Sequence, residues 1–546
     1  MPSLNGIFEI ARTGLNASQE ALNVTSHNIS NVNTPGYTRQ RATLEAKDPV
    51  SFGGHFFGTG VDVKGVERVY DRFVALQLND ARSGLSADSS RAGILKDLEG
   101  VLNDLGGAGI SKPLDDFFNS FEELSSDPSS RPARQAVLSG GIVLSDAFKN
   151  VDSRIRREIT NVNGEIAGIV KDINDLSAQV AALNKEIQGT DINGASSNDL
   201  KDKRDVLLGE LAGKIGITTI ESSPGVVDVV TDGGFSLVAG VTSTKLTVSV
   251  NGDNNLLTEV TYKGANLAKS MKSGALKGVI DGRNDLTEAL DNVNLLSATI
   301  IKEVNVQHRA GYGLDSGTGV DFFTPMNIDT AKMSANSGGA LISGGTVTDP
   351  SALTLDDYEV RFSDPANYIV VNLGTNSVVT SGAYTSGAAI NFDGISVTVT
   401  DSPTAPAAGD VFSISATKSA AMNMGVSITS TSAIAASSTA AGLPGDNTNA
   451  LALSGLRDKP LVSGATLDAF YQGIVSDTGT KANDAENNAG VKEAVLAQIE
   501  IQRTSVSGVS IDEEAINMIK LQKAFEASAR LLSTANEMFN TLLNIR

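Results

Sequence analysis

The strongest periodic pattern of the sequence lies in residues 155–187, IRREITNVNGEIAGIVKDINDLSAQVAALNKEI. Its apolar residues alternate at spacings of four and three, and they are Ile155, Ile159, Val162, Ile166, Ile169, Ile173, Leu176, Val180, Leu183 and Ile187. Because this spacing keeps apolar side chains on one face of a helix, it is typical of a heptad repeat. The segment therefore predicts a long helix in a left-handed coiled arrangement, with its charged residues in solvent.

Both ends of the sequence carry a similar apolar seam. The N-terminal seam consists of Leu4, Phe8, Ala11, Leu15, Ser18, Leu22, Thr25 and Ile29. The C-terminal seam consists of Ile511, Met518, Phe525, Leu532 and Phe539 at one heptad position and of Leu521, Ser528, Ala535 and Leu542 at the other. Matched seams at the two termini predict a chain that runs out and returns, with antiparallel terminal helices.

Short segments of alternating apolar and polar residues interrupt the helical pattern twice. The first block spans 217–262, and the second spans 358–416, where turn residues separate five predicted strands. Those strands are 358–362, 368–373, 390–392, 395–400 and 411–415. Two stretches rich in Gly, Ser, Thr and Ala flank the second block, at 336–348 and 427–441, and their composition is typical of linkers.

The length of 546 residues exceeds what one hydrophobic core supports, so we expect several domains. The fold class is predicted as α+β multidomain, with terminal coiled-coil helices, a long-helix bundle core and inserted small β-rich domains. The predicted parts are terminal coiled-coil helices at 1–35 plus 508–546, a helical bundle at 36–215 plus 430–507, a mixed β and helical domain at 216–335, and an inserted β-rich outer domain at 336–429.

Composition argues against several classes of partner. The 43 Lys and Arg residues against 63 Asp and Glu residues give a formal charge of -20, which repels nucleic acid. The sequence has no cysteine, which excludes disulfides and thiolate metal sites. No run of about 18 apolar residues occurs, so we expect no membrane insertion, and residues 1–21 lack the pattern of a cleavable secretion signal.

Catalytic and ligand-binding motifs are also missing. His27, His55 and His308 are far apart and none lies in a His-Glu-x-x-His pattern, while no nucleophile elbow or phosphate-binding loop occurs. Adjacent carboxylates such as Asp115 and Asp116 point in different directions on a helix, and ordinarily they only keep its surface in contact with water. We therefore expect no enzyme activity, no catalytic residue, no metal and no cofactor.

Residues 28–37, NISNVNTPGY, follow the N-terminal seam and contain a helix stop, because proline lacks an amide donor and glycine permits positive φ. The segment resembles a signature of the flagellar axial protein family, which comprises rod, hook and hook-associated proteins. The residues that carry the resemblance are Asn28, Asn31, Asn33, Thr34, Pro35, Gly36 and Tyr37. The family more often has Ala-Asn where Ser30 and Asn31 stand here.

Further stretches resemble the hook-associated members in particular. Rod and hook relatives commonly have Gly-Phe where this chain continues as GYTRQ at 36–40. The other stretches are NDLKDKRD at 198–205, GALKG at 274–278, NVQHRAG at 305–311 followed by Phe322 and Phe323, and the C-terminal segment from RTSVSGVSIDEEA at 503–515 to LLNIR at 542–546. The resemblance covers nearly the whole chain except the β insertion.

The resemblance implies a structural adaptor subunit of the bacterial flagellum that joins hook to filament. It implies secretion by the flagellar type III export route and an extracellular location at the hook–filament junction. The implied partners are further copies of the chain in a ring or helical layer, the hook protein, the second hook–filament junction protein and an export chaperone that binds the C-terminal helix.

With this resemblance, the terminal seams become a predicted assembly interface that forms the inner wall of a tube. Its predicted members are Leu4, Phe8, Ala11, Leu15, Leu22, Ile29, Ile511, Met518, Leu521, Phe525, Leu532, Ala535, Phe539 and Leu542. Because isolated helices of this length are marginal in water, we expect residues near 1–35 and 510–546 to fold on assembly.

Two alternatives remain open at this point. The chain could be another flagellar axial subunit, such as the hook protein or a flagellin, although Gly36-Tyr37 and the internal stretches argue against this. It could also be a secreted adhesin or enzyme carried by the β domain, which would need a pocket with converging polar residues. The sequence contains no such set.

Overall fold

The computed structural model describes residues 4–52, 54–103, 109–192, 197–223, 225–254 and 256–544. The α-helices are α1 (Leu4–Ser30), α2 (Arg72–Leu102), α3 (Ser111–Ser126), α4 (Arg131–Ile192), α5 (Asn198–Lys214), α6 (Ala275–Arg309), α7 (Ala420–Asn423), α8 (Thr448–Ser454), α9 (Leu467–Ser507) and α10 (Ile511–Asn544). Long helices alternate with small antiparallel sheets along the chain, which confirms the predicted α+β multidomain class. No helix within the described ranges is long and apolar enough to cross a membrane.

The strands occur in three regions of the chain. The first region contains β1 (Gln40–Ala46), β2 (Val50–Phe52), β3 (His55–Phe57) and β4 (Val61–Arg68). The second contains β5 (Ile217–Ser223), β6 (Val226–Thr231), β7 (Ser236–Ala239), β8 (Thr242–Ser243), β9 (Leu246–Val250), β10 (Thr258–Tyr262) and β11 (Ala265–Asn266). The third contains β12 (Asp329–Lys332), β13 (Leu341–Val347), β14 (Tyr358–Asp364), β15 (Asn367–Asn372), β16 (Ser377–Ala383), β17 (Ala389–Phe392), β18 (Ile395–Thr400) and β19 (Val411–Ser415).

The two terminal helices, α1 and α10, pack against each other in antiparallel orientation. Asn28 in the last turn of α1 bonds to Glu514 in the first turn of α10, and farther along the pair Gly14 lies against Ser528. The chain therefore runs out and returns, as the matched seams predict.

A two-stranded ribbon of β1 and β4 lies along α1. At one end of the ribbon, beside the end of α1, Gln40 pairs with Arg68. At the other end Ala46 pairs with Val61, whose amide donates to the hydroxyl of Thr13 in α1 at 3.4 Å. The small hairpin of β2 and β3 continues beyond this point. The sequence did not predict these strands.

The long helices form the centre of the molecule. Helix α4 has 62 residues and so is roughly 93 Å long at 1.5 Å per residue. Helix α2 packs along α9 and α6, and α6 also packs along α4, so chain segments that are distant in sequence share one apolar core.

The seam at 155–187 is buried as predicted, except for half-buried Leu183. Its partner is different from the predicted coiled coil, because this half of α4 packs mainly on α5, α6 and the small sheets formed by β5–β8 and β9–β11. Three asparagines of α4 bind backbone groups of these sheets and of the turns between their strands: Asn163 donates to Leu256, Asn174 to Leu246, and Asn184 to Val227 and Gly240. An apolar stripe fixes which face of a helix is buried but not what covers it.

The outer β region contains a five-stranded sheet in the order β12-β19-β14-β15-β16 and a three-stranded sheet in the order β13-β18-β17. Aromatic residues connect the two sheets, since the rings of Tyr358 and Phe392 lie 4.9 Å apart. The linker interpretation of 336–348 was wrong for 341–347, which forms β13. It was also wrong for the middle of 427–441, where Ile434 and Ala436 are buried against the helices.

Candidate functional site

The terminal helix pair of α1 and α10 holds the predicted interface residues at three levels of exposure. Ala11 and Ala535 are buried, while the exposed members are Phe8, at 43% exposure, Ile511 and Phe539. The half-buried members are Leu15, Leu22, Ile29, Met518, Leu521, Phe525 and Leu532. The side chains of Leu4 and Leu542 lie outside the described part of the chain.

Helix α1 is buried on more than the predicted seam. Ala17, Ala21 and Val24 lie outside that seam and are nevertheless buried. The reason is that α1 packs against β1 and β4 as well as against α10, so that two neighbours cover different faces of the same helix.

Among the residues that the structure describes, α10 packs along α1 and along no second helix or strand to a comparable extent, and large apolar side chains remain exposed along it. Ile516, Ile519, Leu531 and Met538 are each about half exposed, in addition to the seam residues Ile511 and Phe539. A helix whose apolar residues extend around most of its surface is typical of a fully buried helix. The terminal helix pair therefore has more apolar surface than a single chain covers.

The predicted family motif forms the turn after α1. The side chain of Asn31 donates to the carbonyl of His27 at 3.0 Å, and the hydroxyl of Thr34 donates to Asn31 at 3.1 Å. Gly36 has φ +80, and a Cβ added there would lie 2.2 Å from Val206 of α5. Glycine is therefore required both by the backbone conformation and by the close approach of α5. The remaining motif residues Asn33 and Pro35 are exposed.

Asn28 stands at the centre of a buried hydrogen-bond network, which we call the anchor and define as Asn28, Tyr37, Arg39, Gln40 and Glu514. Asn28 is 1% exposed, and its Nδ2 donates to the Gln40 carbonyl at 2.9 Å and to Glu514 Oε2 at 3.1 Å. Its Oδ1 accepts from the Gln40 amide at 2.9 Å and from the Tyr37 hydroxyl at 2.8 Å. One side chain thus joins α1, the motif turn, β1 and α10.

Glu514 is the acidic member of the anchor and is only 2% exposed. Arg39 Nε lies 2.9 Å from Glu514 Oε1, and Arg39 NH1 lies 3.1 Å from the exposed Glu513. The backbone amide of Arg39 also donates to the carbonyl of Ser507, the last residue of α9, at 2.9 Å. A buried carboxylate is stable only when it is paired and hydrogen-bonded, and Arg39 and Asn28 meet both needs.

A second polar cluster holds α5 against the residues that follow the motif. Asp202 accepts from the amide and the hydroxyl of Thr38, at 2.9 and 2.6 Å, and from Arg68 NH1 at 2.6 Å. Arg68 NH1 also donates to Asp205 at 2.8 Å. Burial raises the pKa of Asp202 and outweighs the hydrogen bonds from Thr38 and Arg68, which act in the opposite direction.

Tyr37 connects the anchor to this cluster. Burial, followed by the charges of Asp199, Asp202 and Glu514, raises the pKa of the Tyr37 phenol far above its ordinary value. The hydroxyl therefore stays protonated and donates to Asn28, while the ring lies edge-on to His27.

Sequence reasoning did not single out Arg39, Arg68, Asp202 or Glu514 as site residues. Asp202 lies in a stretch that carries the family resemblance, and Glu514 lies in the first turn of a predicted helix. Neither position indicated its partner, because a hydrogen bond between residues 486 positions apart, such as Asn28 and Glu514, has no characteristic spacing.

His308 is a histidine whose two ring nitrogens both bond to backbone groups. His308 is buried, its Nδ1 donates to Val320 at 2.7 Å and its Nε2 accepts from the Ala435 amide at 3.0 Å. Burial lowers the pKa of His308, which holds the ring in its neutral form. Among the residues that the structure describes, no three His, Asp or Glu side chains are grouped so as to hold a metal ion.

Family models match four segments that together span most of the chain. The model of the flagellar hook-associated protein FlgK helical domain matches residues 95–323, and that of the flagellar hook-associated protein 1 D2-like domain matches residues 331–416. At the termini, the flagella basal body rod protein model matches residues 8–38, and the flagellar basal body rod FlgEFG protein C-terminal model matches residues 502–545. The terminal matches include the helix pair and the motif.

Full-length relatives and a solved structure agree with these models. The chain is 32% identical to flagellar hook-associated protein 1 of Escherichia coli strain K12 over 554 residues, covering 100% of both chains. It is 30% identical to flagellar hook-associated protein 1 of Bacillus subtilis strain 168, covering 98% of this chain and 97% of the relative.

The fold resembles that of the flagellar hook junction protein FlgK from Burkholderia pseudomallei, with a TM-score of 0.67 and 20% identity. The match covers 79% of this chain and 100% of the solved chain. From the full-length identities, the domain models and this shared fold together, the chain belongs to the flagellar hook-associated protein 1 family.

Proposed function

We propose that the chain is a structural adaptor subunit of the bacterial flagellum that joins the hook to the filament. The observation that carries this proposal is the antiparallel pair of α1 and α10, which is fixed to the rest of the chain by the anchor. Its outer apolar side chains are about half exposed in the part of the chain that the structure describes. A tube built from such pairs would cover them with neighbouring subunits.

The energetics favour assembly through this surface. Fully burying one Ile, Leu or Phe side chain contributes roughly 1.5–3 kcal/mol. Five such side chains of α10 are about half exposed in the single chain: Ile511, Ile516, Ile519, Leu531 and Phe539. Contact with a neighbouring subunit would therefore add part of this burial free energy for each of them. The predicted assembly interface is therefore larger than the two seams and includes the outer face of α10.

The proposed partners follow from the position of a junction. Such a subunit needs two different faces, because heterologous contacts that do not close produce an open helical stack. One face would meet the hook protein and the other the second hook–filament junction protein, while further copies of the chain lie beside it. The uncovered C-terminal helix α10 is where an export chaperone would bind before assembly, and the subunit would act outside the cell after type III export.

We propose the same four structural parts that the sequence suggests. The two sheets of the outer β region pack on each other through Tyr358 and Phe392, which supports a separate part there. Strand β12 belongs to the larger sheet, so this part begins before residue 336. The division at 216–335 has less support, because α6 packs along α2 and α4 of the helical bundle.

We also propose that the chain is not an enzyme. The buried polar groups of the anchor bond to one another, so that Asn28 uses both its Nδ2 and its Oδ1 within the chain. A catalytic site needs such groups to converge on a space that a substrate can enter. Here they connect secondary-structure elements instead.

Location on the organelle separates this proposal from the other axial subunits. A tag inserted in the exposed loop around Asn376 of the outer β region should be labelled by gold particles at a single band between hook and filament. Labelling along the whole hook or the whole filament would identify a hook protein or a flagellin and would overturn the adaptor proposal.

Removal of the outer β region tests the adhesin or enzyme alternative. Lys332 and Phe412 are Cα partners in the adjacent strands β12 and β19, so a Gly-Gly link between them can replace residues 333–411. The shortened chain should still enter the junction and restore swimming to a strain that lacks the gene. Normal export without incorporation would show that the β region is needed for assembly.

A further inference from the structure

An exposed aromatic tip ends the β-ribbon. In the hairpin of β2 and β3, Phe56 is 77% exposed and Val50 is 59% exposed. Exposed aromatic residues at the end of a hairpin are costly for a free protein, since they leave apolar area in water. We call Val50 and Phe56 the hairpin tip.

An apolar groove lies at the motif turn, between that turn and helices α4 and α5. Its volume is about 700 Å³, and it is lined on its apolar side by Pro35, Ala182, Leu183, Val206 and Leu207. Leu183 is the residue of the long α4 seam that remains half exposed, because no element of the described chain covers it. The groove is thus a gap in an otherwise continuous core.

The hairpin tip and the groove lie toward opposite ends of the terminal helix pair. At the tip end, Lys47 Nζ lies 3.7 Å from Glu9 of α1, whereas His27 of the same helix lines the groove. The 18 residues between Glu9 and His27 correspond to about 27 Å along the helix. The tip of one chain therefore cannot enter the groove of the same chain.

Charge favours the hairpin tip as an occupant. The lining of the groove carries the acidic residues Glu186, Asp199 and Asp202 against the basic residue Lys203, so it has an acidic excess within a chain whose net charge is -20. Most acidic surfaces of another copy would be repelled there. The segment 47–59 has balanced charge, with Lys47, Asp48 and His55, and can approach without this repulsion.

We propose that the hairpin tip of one subunit inserts into the groove of a second copy of this chain. Because tip and groove lie at opposite ends of the helix pair, the contact is head-to-tail and leaves one free tip and one free groove on each assembly. The inference rests on the proposed function, since it requires copies of the chain to lie next to one another in the flagellum.

Disulfide cross-linking tests the contact directly, because the natural chain contains no cysteine. Ser51→Cys, opposite Phe56 in the hairpin, and Ala182→Cys in the groove leave Phe56 and Leu183 unchanged. Hook–filament structures isolated from cells expressing the double variant should give dimers and larger multiples on oxidation. The matched control combines Ser51→Cys with Ala167→Cys, an exposed α4 position 15 residues away or about 22 Å.

Cross-linking that is confined to the Ser51 and Ala182 pair supports the contact. Absence of cross-links in assembled structures, or equal cross-linking with the Ala167 control, overturns it. Detection of the unmodified chain in the same preparation tests the proposed function separately, since a chain missing from these structures would overturn that function itself.

A second pair of variants tests the contact between hairpin tip and groove if the double cysteine variant does not assemble. Ala182→Arg fills the groove without altering a buried residue and should lower incorporation at least tenfold, whereas Ala167→Arg should leave incorporation unchanged. Equal incorporation of the two arginine variants would overturn the inference.

Discussion

Asn28 donates a buried hydrogen bond to Glu514 at 3.1 Å and so ties the last turn of α1 to the first turn of α10. The two residues are 486 positions apart, and their contact closes the chain into one long loop that carries every other element. Because Asn28 also bonds Gln40 and Tyr37, the same side chain sets the position of the helix pair relative to the β-ribbon and the motif turn.

Replacing Asn28 should loosen the start of α10. Asn28→Ala leaves Oε2 of Glu514 and the backbone of Gln40 without the hydrogen bonds from Asn28, while Arg39 still pairs with Oε1 of Glu514, and the cost is about 3 kcal/mol. Amide exchange in the first turn of α10 should become roughly 100-fold faster, as measured by mass spectrometry on the full-length chain. Asn33→Ala, at an exposed motif position, is the matched control and should have no effect, and equal exchange in both variants would contradict the role of the anchor.

The free chain should show a gradient of order along the terminal helix pair. The sequence suggests that residues near 1–35 and 510–546 fold on assembly, whereas the anchor holds one end of the pair in the single chain. We expect slow amide exchange near Asn28 and Glu514 and fast exchange near Phe8 and Phe539, which lie at the end of the pair that is far from the anchor. Uniform protection along both helices in dilute solution would contradict this expectation.

The motif glycine should tolerate no side chain. Gly36→Ala combines a φ of +80 with a Cβ that would lie 2.2 Å from Val206, so we expect a loss of about 3 kcal/mol in the free energy of unfolding. Gly54→Ala is a matched control, since Gly54 has the same φ but nothing within 4 Å of an added Cβ. Its loss should be at most about 1 kcal/mol by the same denaturant titration. Equal losses would mean that contact with α5 is unimportant.

The asparagines of α4 should stabilise the small sheets. Asn184 is fully buried, donates to Val227 and Gly240 at 2.7 Å, and accepts from Arg204 at 3.1 Å. Asn184→Ala should therefore lower the free energy of unfolding by about 3 kcal/mol, because several buried groups lose their partner. Asn161→Ala, on the exposed side of the same helix, should change it by less than about 0.5 kcal/mol. A small effect at Asn184 would contradict this account of the sheet contacts.

His308 should make the fold sensitive to mild acid. Burial lowers the pKa of His308 below its ordinary value of 6.5, so the unfolded chain binds a proton more readily than the folded chain at this position. Stability from this residue is thus complete above the unfolded pKa and is lost as pH falls below about 6.5. The melting temperature of the natural chain should fall more between pH 7.5 and 5.5 than that of His308→Gln, and parallel curves would contradict the prediction.

The terminal helices, the 155–187 part of α4 and the strands β14, β15, β17, β18 and β19 could be predicted from the sequence, because their periodicity reflects burial on one face. The strands β12, β13 and β16 were not predicted. The ribbon of β1 and β4 could not, since it is two-stranded, largely exposed and interrupted by a register shift between Thr43 and Leu44. The partner of the long α4 seam was also not predictable, because Ile166 or Ile173 would be equally buried by a helix or by a sheet.

The candidate site was predictable only in its apolar half. Heptad spacing placed Ala11 and Ala535 in the terminal pair, where both are buried. The polar half depends on contacts between Asn28, Arg39 and Glu514, which are set by the three-dimensional path of the chain. Single residues of these types occur on many helix ends, and only the structure identifies them as one network.

Deletion of the gene in the source bacterium tests the central claim most directly. Electron microscopy of the cells, combined with an assay for flagellin in the medium, should reveal complete hooks without filaments and flagellin shed as monomer. This result is expected because filament subunits would be exported but would find no junction on which to assemble. Intact filaments on the deleted strain would contradict the account, and missing hooks would identify the chain as a rod or hook subunit instead.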